Sequence, residues 1–236
     1  MFTTEPRIET LPLSGHCRYI VDNALADPEA LVALAAEHRS LFRTWPHNMY
    51  PGVEIGAPAD LAAALGEFFM LHLRALLHGQ RTLHQHSRLS MATLQPDALQ
   101  PAQWFAHRDN QQVPAGQCIA ASVLYLFSNP ALGGTSFFRP RRDTLETAQL
   151  IHDTGTLDTA AFVARHGGAV ARGFQTTSNG YFELVQRVPA KWNRLICYDG
   201  SLFHCSDIRA PELLNDDPAC GRLTLNGFFT CSRRQA

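Results

Sequence analysis

From about residue 82 onward the chain is a series of short strand-like runs broken by Pro, Gly and Asn clusters, and this pattern restricts the fold more than any other feature. "TLHQHSRLSMATLQ" alternates in places. "QCIAASVLYLFS", "GTSFFRP", "YFELVQRV", "NRLICYDGSLFHCSD" and "GRLTLNGFFTC" are rich in β-branched and aromatic residues. Short strands at this spacing fold as a sandwich or barrel. One segment interrupts them. "RRDTLETAQLIHDTGTLDTAAFVARHGG" predicts two short helices, with Asp143 capping the first and Asp158 or Thr159 the second.

The first part reads differently. "DPEALVALAAEHRS" predicts a helix with Asp27 as N-cap and Pro28 at the first helical position. "APADLAAALGEFFMLHLRALLHG" predicts a longer one closed by Gly79. Between them lies a Pro/Gly-punctuated loop, "FRTWPHNMYPGVEIG". The expectation is an α+β domain spanning 1–236, helical over about 1–80, with a β core over about 82–231 that carries a helical insertion between strands. The length of 236 residues suits one domain.

Bulk properties exclude some partners. A net charge of −1 predicts no nucleic-acid partner and no attraction to a membrane surface. No apolar run approaches the roughly 18–20 residues that span a bilayer. The start of the chain lacks the basic-then-apolar pattern of a signal peptide. The 6 cysteines contain no CxxC pair. Reduced thiols in a cytoplasmic protein are the expectation.

The chemistry-bearing stretch is "QWFAHRDNQQ". In an extended segment His107 and Asp109 fall on one face. Side by side, an imidazole and a carboxylate are either a solvated pair or two ligands of a metal. A third ligand is wanted, and His204 in "YDGSLFHCSD" is the best candidate. Two histidines and one carboxylate on one face of a mononuclear iron leave positions open for a cosubstrate and dioxygen. Further on, Arg222 sits among apolar strand residues, where a charge is costly unless paired, and no acidic residue alternates beside it. A guanidinium accepts a carboxylate in a bidentate fork, and Thr224 faces the same way with a hydroxyl.

The order "HRDN…CIAASVLYLFSNPALGGTSFF…GSLFHCSD…GRLTLNGFF" resembles the Fe(II)/2-oxoglutarate-dependent dioxygenases, in particular their prolyl 4-hydroxylase-like branch, over roughly residues 82–231. The resemblance implies a double-stranded β-helix, or jelly roll. It implies Fe(II) bound by His107, Asp109 and His204, and 2-oxoglutarate held at its distal carboxylate by Tyr125, Arg222 and Thr224. The gap from His204 to Arg222 is longer than the family's usual spacing, because "RAPELLNDDPA" reads as a loop insertion. Arg209 is therefore the alternative anchor. The implied reaction is hydroxylation of a C–H bond in an amino acid, peptide or small metabolite, using dioxygen and releasing succinate and CO2. Desaturation is another outcome of the same fold. Halogenation is disfavoured by Asp109, which fills the position a halide needs. The reading from another class is a non-catalytic jelly-roll binding protein that keeps a metal site.

Other candidates carry less. His84 and His86 form an HxH, but Ser90 stands near the place where a cupin-like site wants a carboxylate. His72 and His78 do not share a helix face. His152 and His166 belong to no motif. GxSxG, P-loop and Rossmann patterns are absent. Arg139, Arg141 and Arg142 read first as a solvated turn and second as a contact for an acidic substrate. Trp45, Tyr50 and Trp104 are core or pocket aromatics. Asn110 is a turn residue or a support for Asp109.

Overall fold

The computed structural model describes residues 1–13, 15–45, 49–109 and 113–233. Asn110 and part of the "WPHNMYPG" loop therefore lie outside the described residues.

The helical expectations hold at their starts. Helix α1 is Pro28–Glu37, and the Asp27 carboxylate accepts from the Ala30 N–H at 3.0 Å. Helix α2, Ala59–Phe68, follows Pro58 and runs into a π-helical turn, Phe69–Leu73, where the Arg74 N–H reaches the Phe69 carbonyl at 2.8 Å. The left-handed residue that ends this segment is His78, at φ 61°, rather than Gly79. His78 and Gly79 donate back to the Ala75 and Arg74 carbonyls, so the stop is a Schellman-type closure with histidine at the left-handed position. Helices α3, Thr144–Thr156, and α4, Thr159–His166, are capped by Asp143 and Asp158.

The first 80 residues are not purely helical. They contain strands β1 (Ile8–Leu13), β2 (His16–Asp22) and β3 (Gly52–Gly56). The first two form a hairpin in which Leu13 pairs with His16 and Gly15 has φ 84°. The later strands are β4 (Arg81–Ala92), β5 (Gln117–Tyr125), β6 (Thr135–Pro140), β7 (Phe182–Val188), β8 (Arg194–Asp199), β9 (Phe203–Ser206) and β10 (Arg222–Ser232).

These strands make two antiparallel sheets, one ordered β1-β2-β8-β5-β10-β4-β3 and the other β7-β6-β9. Strand alternation then assigns three cores. One face of the large sheet sends Val21, Leu124, Leu195 and Leu225 against α1 and α2, where Phe69 stacks on Phe229 at 3.9 Å. The other face sends Ile20, Ala121, Tyr125, Ile196 and Tyr198 toward Phe137 and Val188 of the small sheet. The outer face of the small sheet packs Phe138, Phe182 and Phe203 against Leu150 of α3 and Phe162 of α4. The result is the expected α+β fold: a jelly-roll core of two facing sheets with helices on both outer sides. Among the described residues, no helix is long and apolar enough to cross a membrane.

The insertion is locked by polar contacts. Asp153 of α3 takes His166 Nε2 of α4 at 2.8 Å and Gln149 Nε2 at 2.7 Å, while His166 Nδ1 meets the Tyr181 hydroxyl at 3.1 Å. A histidine with no sequence motif thus has a structural partner.

Candidate metal centre

Trp104, Phe105 and Ala106 are buried in the third core, and the Ala106 N–H donates to Gln175 Oε1 at 2.9 Å. This anchor delivers the next residues to the gap between the sheets. His107 lies directly opposite His204 of β9, and each donates its backbone N–H to the other's carbonyl at 2.9 Å. The Asp109 N–H continues the pairing to the Gly200 carbonyl at 2.9 Å. A Cβ on Gly200 would come within 3.1 Å of Asp109 Cβ and of the Ile119 carbonyl, so glycine lets the segment approach closely.

Two bridged histidines and a carboxylate two residues on therefore share one face. The His107 and His204 rings are 4.5 Å apart between centroids. Asp109 Oδ1 is 3.8 Å from His107 Nε2, and Oδ2 is 3.5 Å from His204 Nε2. One ligand atom from each of the three lies within 4.8 Å of the others. Among the described residues this is the one such group of His, Cys, Asp or Glu.

The surroundings suit a cation. Asp109 Oδ2 is buried and accepts no hydrogen bond from the described residues, a costly state for a carboxylate oxygen. His204 Nδ1 is 2.9 Å from the Leu202 carbonyl, so Nδ1 carries the proton and Nε2 offers its lone pair. Burial holds His107 down to about 4, helped by the neighbouring His204. Burial likewise holds His204 down to about 4. Burial pushes the Asp109 carboxyl up, against the pull of His107 and Arg88. Both imidazoles are neutral at pH 7, as a metal ligand must be. An ion between the three groups would satisfy Oδ2 and offset the burial of the carboxylate, so the donor set fits a divalent transition metal.

The centre opens on a cavity of about 470 Å³. Arg222, Thr224, Asn226 and Phe228 line it from alternate positions of β10. Arg222 is 2% exposed. Its Nε donates to the Leu132 carbonyl at 3.0 Å and one Nη to the Gly134 carbonyl at 3.0 Å, with Phe127 5.7 Å beneath the guanidinium. No carboxylate among the described residues pairs with it. The "GGT" turn explains this seat. Gly133 has φ 83°, and a Cβ there would collide with the Asp207 carbonyl, so glycine lets consecutive carbonyls converge on Arg222. Arg209 is placed elsewhere. Its guanidinium is committed to Asp207 at 2.7 Å, with the side chain 55% exposed.

Thr224 donates to the Ser90 carbonyl at 3.3 Å. Tyr125 pairs with Thr224 across β5 and β10 but lies behind the cavity wall, its hydroxyl 2.8 Å from Thr135 Oγ1. Thr135 lines the cavity. Burial pushes the Tyr125 phenol up to about 12, so it stays protonated as a neutral hydrogen-bonding group.

Tyr50 joins the cavity wall, whereas Trp45 borders a neighbouring cavity and Trp104 is core, donating to the Leu99 carbonyl. The arginine cluster is solvated: Arg139 pairs with Glu183 and Arg142 with Glu146. All six cysteines are free. Residues unremarked in the sequence also line the cavity. Tyr198 sets its ring edge-on to His204 at 4.7 Å, and Arg88 reaches in from β4. The signal for Arg88 was a charge at an inward position of a half-apolar strand, "HSRLSMA".

Among solved structures, the chain is similar to the non-heme alpha-ketoglutarate-dependent carbocyclase SnoK from nogalamycin biosynthesis, with TM-score 0.50, 12% identity, and 92% of this chain and 81% of that one covered. It is equally similar to HygX from Streptomyces hygroscopicus, solved with nickel and 2-oxoglutarate bound, with TM-score 0.50, 10% identity, and 92% and 82% covered. A prolyl-4-hydroxylase from Pseudomonas putida aligns over 94% of this chain and 95% of its own, at 15% identity and TM-score 0.45. At such identities the likeness of the first two is one of fold. No curated protein matches. A family model described as a family of unknown function, DUF6445, matches residues 4–229, and the chain belongs to that family.

Proposed function

We propose that the protein is an Fe(II)- and 2-oxoglutarate-dependent oxygenase, and specifically a hydroxylase of a C–H bond in an amino acid, peptide or small metabolite. The observation that carries this reading is the convergence of His107, Asp109 and His204 within 4.8 Å at the wall of a cavity that also holds a buried arginine with no carboxylate partner among the described residues. The jelly-roll fold is shared with a structure that holds nickel and 2-oxoglutarate, which adds support.

Bound iron with 2-oxoglutarate would supply the activation of dioxygen, with succinate and CO2 as co-products. The chain's own residues do the positioning. His107 and His204 present neutral Nε2 atoms, and Asp109 presents the oxygen that lacks a donor. Arg222 binds the distal carboxylate of the cosubstrate, Thr224 turns its hydroxyl from the Ser90 carbonyl to join it, and Tyr125 steadies that end through Thr135. Carbonyls from the glycine turn hold Arg222 while leaving its charge uncompensated. Phe228 and Val123 add apolar surface to a wall that is otherwise lined largely by polar residues. With six free thiols, we assign the protein to the cytoplasm.

The test is an anaerobic titration of metal-free protein with Fe(II) and then 2-oxoglutarate, followed by visible absorption. A charge-transfer band that requires both and is lost in His107→Ala is the expected result. A folded protein that shows no band would favour a non-catalytic jelly-roll binding protein.

A further inference from the structure

Besides Arg222, two arginines line the cavity: Arg108, whose guanidinium carbon lies 4.7 Å over the Phe203 ring of the small sheet, and Arg88 of the large sheet. Arg88 lies on β4 opposite Asn226 of β10, on the face that Arg222 and Thr224 also occupy. Arg222 pairs with Ala92, four residues along the same ladder, which separates the two arginines by roughly 13 Å along the strand direction. They stand toward opposite ends of the cavity floor.

Arg88 is built to hold one orientation. Its Nε is 2.8 Å from Oε1 of Glu54, a carboxylate on β3 whose side chain is only 2% exposed. The same Oε1 accepts from Ser90 Oγ at 2.9 Å, and Ser90 Oγ accepts from Asn226 Nδ2 at 2.9 Å, so the carboxylate is itself fixed. The guanidinium carbon sits 5.1 Å over the Phe228 ring, which sets the plane of the group. Held from behind and from one face, Arg88 leaves its two Nη groups without hydrogen bonds among the described residues, and the side chain lines the cavity at 28% exposure. Neutralising Glu54 alone would need one cationic contact, which a lysine also supplies. A planar fork whose Nε is turned to Glu54 and whose two Nη groups are open is the arrangement that accepts a carboxylate end-on.

We infer that Arg88 is the substrate-orienting residue of this site and that the substrate carries a carboxylate. This rests on the oxygenase reading for the word substrate, since Arg222 must be taken by 2-oxoglutarate for Arg88 to be the fork left on that face of β4 and β10. Glu54, Ser90, Asn226 and Phe228 are positioning residues that act through it.

The experiment is a titration of 15N-labelled protein, loaded with Zn(II) and saturating 2-oxoglutarate, with acetate and separately with acetamide. The Arg88 Nε–H cross-peak is identified by its loss in R88Q. The expected result is a saturable shift with acetate, none with acetamide, and an R88Q protein whose 2-oxoglutarate affinity stays within threefold of wild type. A peak that ignores acetate, or follows acetamide equally, would overturn the inference. So would an R88Q protein that loses 2-oxoglutarate as R222Q does, because Arg88 would then be the cosubstrate anchor. If 2-oxoglutarate fails to bind yet acetate still moves the peak, the carboxylate site stands and the oxygenase reading falls.

Discussion

His107 and His204 form a one-residue antiparallel bridge in which each backbone N–H donates to the other's carbonyl at 2.9 Å while the two rings stand 4.5 Å apart. The candidate metal centre is thus scaffolded by the main chain. Truncating an imidazole removes a ligand but leaves the bridge intact.

His107→Ala should therefore fold as the wild type does in the absence of metal. The melting temperature of the metal-free protein should change by no more than a few degrees, since a side chain that lines an existing cavity is removed without opening a void in the apolar core. The stabilisation that Mn(II) or Co(II) gives the wild type should disappear, because binding to the native state alone raises stability by mass action. Thermal denaturation with and without metal checks both points. A mutant that keeps the full metal-dependent shift would dismiss His107 as a ligand.

Arg222→Gln should weaken 2-oxoglutarate about 10–100-fold, the worth of a hydrogen bond to a charged group in a dry site. Metal binding should be retained. Arg209→Gln should leave 2-oxoglutarate affinity unchanged, because that guanidinium is spent on Asp207 at 2.7 Å. Calorimetric titration of the two variants side by side separates these outcomes.

Gly133→Ala should cost about 2 kcal/mol or more. A left-handed backbone penalises a Cβ by about 1–2 kcal/mol, and here the Cβ also meets the Asp207 carbonyl. Because the Leu132 and Gly134 carbonyls seat Arg222, the variant should lose 2-oxoglutarate affinity as well. Urea denaturation and cosubstrate titration measure the two effects. Full stability in this variant would show that the turn tolerates a side chain.

Asp22 ties the end of β2 to β8 through Arg194 at 2.6 Å, and Lys191 adds a contact at 2.7 Å. The Arg194 hydrogen bond, against some burial and with help from Lys191, holds its carboxyl down to about 2. A carboxyl depressed in the folded state contributes stability above its ordinary pKa and loses it as pH falls through the folded value. Asp22→Asn should therefore destabilise by about 1 kcal/mol near pH 7, the modest worth of a partly exposed pair. The difference from wild type should shrink between about pH 4 and pH 2. Denaturation curves across that range provide the check, and a difference independent of pH would remove the ion pair as its cause.

By itself the sequence determined the local grammar. Asp27, Asp143 and Asp158 announced their helices because an N-cap acts within three residues. The strands from Arg81 onward showed as β-branched and aromatic runs, and the HxD pair declared its shared face because side chains alternate along an extended chain. Even where the reading was incomplete, the signal was local: Ile8–Leu13 and His16–Asp22 are two strand-length runs around a glycine, the pattern of a hairpin. Tertiary structure decided what depends on distant chain segments meeting. That His204 bridges His107, that Arg222 sits on carbonyls from the glycine turn while Arg209 turns to Asp207, and that Tyr125 stands behind Thr135 are matters of sheet register. The Arg88–Glu54 pair joins residues 34 positions apart whose strands β3 and β4 pair only in the folded sheet. Periodicity states which way a side chain points. Only the packing of two sheets states what it meets there.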